Sequence, residues 1–155
     1  GLAKFPQMKY DERFAFYNKL ESMYVGGTID LGNAFNPYHI RLRRLIKNGL
    51  KDDEKKLMIG EIKAINSLLD KAVEKEKYMD VKTMVANIGF YSVIIGLLPE
   101  DERQPYYDKG MFFVGKITEV SDQNPISKTA KAVLDISLKY GEEGLDIFDT
   151  EVKKP

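Results

Sequence analysis

The densest run of residues able to recognise another molecule lies between positions 39 and 51. His39, Arg41, Arg43, Arg44, Lys47 and Lys51 fall within thirteen residues, and three of the chain's five arginines are among them. A guanidinium fork binds phosphate or carboxylate bidentately, so such a cluster suits a DNA or RNA backbone or an acidic protein partner. On a helix, Arg41, Arg44 and Lys47 or Lys51 share one side while Leu42, Leu45 and Ile46 hold the other against a core. Phe35 and Tyr38 are near enough in sequence to offer stacking faces. The alternative is an ordinary amphipathic helix whose basic side pairs with acids from a neighbour, another copy or the 142–151 tail.

Other chemistry is thin. His39 is the one histidine and cysteine is absent. Histidine- and thiolate-based metal sites, a Cys nucleophile and a disulfide framework therefore have no residues to build them. His39 reads as a surface or interface residue. Gly26-Gly27-Thr28 with Gly32 is only loosely phosphate-like. It lacks the Lys-Ser/Thr ending and follows a helix where a strand is needed. The carboxylates sit mostly in mixed runs, Asp52-Asp53-Glu54-Lys55-Lys56 and Glu74-Lys75-Glu76-Lys77, which read as helix-start charges and i,i+4 pairs. No two acids are singled out as a glycosidase-type pair. The sequence leads us to expect no enzyme, no metal, no cofactor and no small-molecule substrate.

The elements that must position these residues are helical. The 155 residues suit a single domain, 1–155, with 43% hydrophobic residues, nine Tyr and eight Phe to fill a core. A helix is expected over 11–25, with Phe14, Tyr17, Leu20 and Tyr24 on one face and Gly26-Gly27 stopping it. A loop, 28–35, tucks Leu31 and Phe35 inward. Asn36-Pro37 then reads as a capped start for a helix over 38–47, closed by Asn48-Gly49. Asp52 or Asp53 caps a long helix ending near Tyr78, with Met58, Ile62, Ile65, Leu69 and Ala72 or Val73 as its stripe. Asp80 caps the next, 81–98, which is apolar nearly all round and must be central. It is too short to span a membrane, which takes about 20 apolar residues. Gly89 and Gly96 lie two turns apart on it and mark close helix–helix packing, since a helix-interior glycine costs about 1 kcal/mol against alanine. A helix over 105–120 presents Tyr107, Met111, Val114 and Ile117. Asn124-Pro125 opens one through Lys139, ended by Gly141, and Leu145, Ile147 and Phe148 let the tail dock as a short turn.

One string recurs. Asp11-Glu12-Arg13-x-x-Phe16-Tyr17-Asn18-Lys19 returns as Asp101-Glu102-Arg103-x-x-Tyr106-Tyr107-Asp108-Lys109, each followed by a loop, Asn-Pro and a helix ended by glycine. This reads either as duplication of a helix pair, 8–49 and 100–141, or as chance recurrence of charged-aromatic strings.

The expected fold is thus an all-α bundle of five to six helices around 81–98. Basic and acidic side chains balance at 24 each, so an electrostatic partner must be met by a local patch, and zero net charge favours self-association. Lysine over arginine with abundant glutamate resembles thermophile compositions, and AT-rich genomes equally. Gly1 in place of Met suggests processing or a tag scar. With no secretory signal visible, an intracellular or virion location is expected. The functional expectation is a structural or assembly protein, such as a virion coat protein or a small helical subunit of a nucleoprotein particle. The second is a nucleic-acid module contacting phosphates through helix 38–51.

Overall fold

The computed structural model describes residues 12–13, 15–17, 31–75, 81–120 and 124–147. It is an all-α bundle, with no strand among those residues. Six helices follow one another: α1 (Leu31–Lys47), α2 (Asp52–Lys75), α3 (Val81–Leu97), α4 (Gln104–Val120), α5 (Asn124–Tyr140) and α6 (Glu142–Ile147). A 3-10 turn, Glu100–Glu102, joins α3 to α4. Residues 12–13 and 15–17 are also helical. Most of the first expected helix, with Phe14, Leu20, Tyr24 and the glycine stop, lies outside the described residues, as does Phe148.

The centre is α3, which packs against α1, α2, α4, α5 and α6. Thirteen of its seventeen residues are buried, as an all-round apolar composition requires. The α2 stripe of Met58, Ile62, Ile65, Leu69, Ala72 and Val73 is buried on it. Among the described residues, no helix is long and apolar enough to cross a membrane.

Two details of α1 differ from expectation. Asn36-Pro37 does not start the helix: α1 begins at Leu31 and carries Pro37 inside it. Leu31, Phe35, Tyr38, Leu42 and Ile46 are all buried, at spacings of four, three, four and four. Their shared face continues the helix upstream of the proline, whose cost is one missing hydrogen bond and a crowded turn. Asn36, instead of capping, donates from Nδ2 to the Lys82 carbonyl across the α1–α3 contact, at 3.3 Å. Leu45, expected inward, is 40% exposed, because that buried stripe turns position 45 outward.

The two α3 glycines sit where neighbours come closest. A Cβ on Gly89 would fall 2.6–2.7 Å from three atoms of the His39 ring, and one on Gly96 would meet the Gly141 carbonyl at 3.3 Å and Leu145 at 3.4 Å. Overpacking of this kind costs about 1–3 kcal/mol, against about 1 kcal/mol recovered by replacing a helix-interior glycine. Gly89→Ala is therefore expected to lower stability by on the order of 1 kcal/mol in chemical denaturation. In a His39→Ala background the same change should be neutral or stabilising; an unchanged penalty there would clear His39 of being the obstacle. Gly141 (φ +64°) ends α5 in the left-handed conformation, its N–H bonding the Ser137 carbonyl at 2.9 Å.

Equivalent members of the recurring string do different work. Tyr17 donates to Glu61 at 2.8 Å and Tyr107 to Asp135 at 2.6 Å, on helices that do not correspond in the repeat. Arg13 reaches a carboxylate, whereas Arg103 donates to the Leu98 and Leu138 carbonyls.

Candidate functional site

The basic cluster on α1 divides when folded. Arg41, Arg44, Lys47 and Lys51 are exposed. Arg43, expected among them, is 4% exposed and donates to the Ser92 hydroxyl inside the bundle. His39 is half-buried, edge-on to Phe90 at 5.6 Å, with Nε2 3.3 Å from Asn36 Oδ1. Acids flank the basic end. Lys47 shares a surface hollow with Glu142 and Glu143 of α6, and Lys55 pairs with Glu142 at 3.0 Å. Part of the cluster therefore lies close to carboxylates of α6, and Arg43 is turned into the core.

Beneath α1, Glu61 of α2 is fully buried among the apolar stripe. Its carboxylate accepts from Tyr17 at 2.8 Å, from Tyr38, and from Arg13 at 3.3 Å. Arg13 also donates to the Tyr38 hydroxyl at 2.6 Å. Burial and the neighbouring carboxylate push the Tyr17 phenol well above its ordinary range, so it stays a donor. The cluster reads as a tie between the N-terminal helical residues, α1 and α2.

Two grooves flank α3. The first, about 360 Å³, runs between α1 and α5 and is apolar, floored by Val85, Ile88 and Gly89 with Ile126 and Val133 opposite. His39 and Arg43 form its polar edge.

The second lies between α2 and α4, which both lean on α3 rather than on each other. It has two adjoining halves that share Asp70, Glu74, Tyr91 and Lys109. The apolar half, about 410 Å³, adds Val73, Phe112, Phe113 and Lys116. Tyr91 stacks on Phe113 at 6.3 Å, and Phe112 stands edge-on to Phe113 at 5.3 Å. Lys116 lies over the Phe112 ring at 5.3 Å. The polar half, about 430 Å³, adds Lys63, Asn66, Ser67, Lys71 and Tyr106.

A hydrogen-bonded relay lies under this second groove. Asn66 Nδ2 donates to Asn87 Oδ1 at 2.7 Å, Asn87 Nδ2 donates to Asp70 at 2.7 Å, and the Tyr91 hydroxyl donates to the same carboxylate at 2.8–2.9 Å. Burial raises the Asp70 pKa above its ordinary value, against the opposing pull of those hydrogen bonds and of Lys109. Burial, together with the neighbouring Asp70 carboxylate, raises the Tyr91 phenol. This groove was not legible in the sequence. The available signal was Asn66 and Asp70, one turn apart beside the apolar stripe of α2, with Asn87 interrupting an otherwise apolar helix.

Among the described residues no group of three or more His, Cys, Asp or Glu could hold a metal ion. Comparison with family models, curated proteins and solved structures finds no match to this chain.

Proposed function

We propose that the protein is a non-enzymatic assembly subunit that joins copies of itself through the apolar half of the α2–α4 groove, as a coat protein or particle subunit would. One observation carries the reading. Phe112 is 59% exposed on α4, at the lip of a hollow floored by Val73, Tyr91 and Phe113. An aromatic side chain beside an apolar pocket is the usual anchor of a protein interface, and burying a phenylalanine is worth about 1.5–3 kcal/mol. The rim carries both signs, Asp70 and Glu74 with Lys109 and Lys116. A two-fold contact could therefore set lysines of one copy against carboxylates of the other.

The nucleic-acid reading is less well supported, with Arg43 committed to Ser92 and Lys47 beside two glutamates. The test is molar mass by light scattering across a concentration series. The expected result is an oligomer that Phe112→Ser converts to monomer without loss of helicity. A wild-type protein that stays monomeric at about 18 kDa throughout would overturn the proposal.

A further inference from the structure

Asp70 borders both halves of the α2–α4 groove, including the hollow beside Phe112. Both of its carboxylate oxygens are engaged within the subunit. Oδ1 accepts from Asn87 Nδ2 at 2.7 Å, and the Tyr91 hydroxyl lies 2.9 Å from Oδ1 and 2.8 Å from Oδ2. Asp70 is half-buried, whereas Glu74, one turn further along α2, is exposed. A lysine of a second copy can therefore reach Glu74, while Asp70 is the carboxylate that a docking Phe112 ring would cut off from its remaining water.

The titratable groups around Asp70 come from all three helices that form the groove. Tyr91 belongs to α3, Tyr106, Lys109 and Lys116 to α4, and Lys63, Lys71 and Glu74 to α2 itself. Burial is the largest influence on Asp70 and disfavours its charge; the Asn87 and Tyr91 hydrogen bonds and Lys109 favour it, and Glu74 disfavours it. Closing the groove strengthens the first of these. A carboxylate cut off from water is most readily accommodated by taking up a proton. The neutral acid fits the site. With the Tyr91 oxygen beside both carboxylate oxygens, a proton on Oδ2 has an acceptor in place, while Asn87 goes on donating to Oδ1.

We infer that self-association through this groove takes up protons, with Asp70 ionised in the free subunit and neutral once a second copy covers it, so that assembly tightens on acidification. The inference rests on the assembly reading and supplies its regulation. Because assembly favours the protonated form, this gain in affinity is fully present at low pH and is lost as pH rises through the value Asp70 takes in the assembly. Each Asp70 covered contributes up to about tenfold in affinity per pH unit.

Sedimentation equilibrium at constant ionic strength, run from about pH 7.5 to about pH 5.5 with helicity followed alongside, tests it. Wild-type association should tighten about tenfold or more across that range. Asp70→Asn, which fixes the neutral and hydrogen-bonded form, should associate tightly already at the upper pH and respond little to acidification. Heats of dissociation on dilution, measured in two buffers of different ionisation enthalpy, count the protons without any variant and keep the test decisive if Asp70→Asn fails to fold. Affinity that stays flat or weakens on acidification would overturn the inference, the second outcome meaning that a lysine of the other copy pairs with Asp70. So would an Asp70→Asn chain no tighter than wild type at the upper pH, or a proton count of zero. Each of those leaves the assembly reading standing, whereas a chain monomeric at every pH and concentration removes both.

Discussion

Replacing Glu61 by alanine is expected to remove about 3–5 kcal/mol of folding stability, the cost of breaking a buried ion pair from one side. The carboxylate is fully buried and is the shared acceptor for Tyr17, Tyr38 and Arg13. Without it, the hydrogen bonds from two phenols and the ion pair with Arg13, only partly exposed at 16%, are lost in an apolar surround. Glu61→Gln keeps a carbonyl oxygen for the tyrosines and forfeits only the charge, so its loss should be clearly smaller. Urea unfolding of the two variants measures both. A Glu61→Ala loss under about 1 kcal/mol would mean that the cluster relaxes or takes up water, and is no tie at all.

Phe90→Ala should be comparably damaging, at about 3–5 kcal/mol, the range for emptying a buried aromatic site. Phe90 has no exposure. It meets Phe35 edge-on at 6.0 Å, Tyr38 at 6.1 Å and His39 at 5.6 Å, so one ring on α3 seats three side chains of α1. The informative comparison is Phe112→Ser. It alters an aromatic residue that is 59% exposed and should leave the unfolding midpoint of the isolated chain nearly unchanged while altering its mass in solution. If both changes destabilised equally, Phe112 would belong to the core and could not serve as an interface anchor. Paired denaturation curves distinguish the cases.

Where local rules governed, the fold could be read from the sequence. The buried stripe of α2, the end of α5 at Gly141 and the centrality of α3 follow from periodicity, glycine and all-round apolarity, whereas Asp52 and Asp53, expected to cap α2, lie inside its first turn. The start of α1 did not follow. A proline signal at 37 competed with a buried stripe reaching back to Leu31, and tertiary burial won. The candidate site was less legible still. The basic cluster was visible as composition, but whether an arginine points outward depends on which face the core takes, and Arg43 falls on the inner one. The relay joins residues 17–21 positions apart, Asp70 to Asn87 and Tyr91 and Asn66 to Asn87. No local spacing rule links two helices in that way.

The position of α3 also determines how the chain can come apart. Every other lettered helix rests on it, and α2 has its main contact there. A helix pair cut from either end would carry half a core and leave the other half to water. Backbone amides in the middle of α3 can then exchange with solvent only when the whole bundle opens. Among the described helices, α3 is the one element that all the others share.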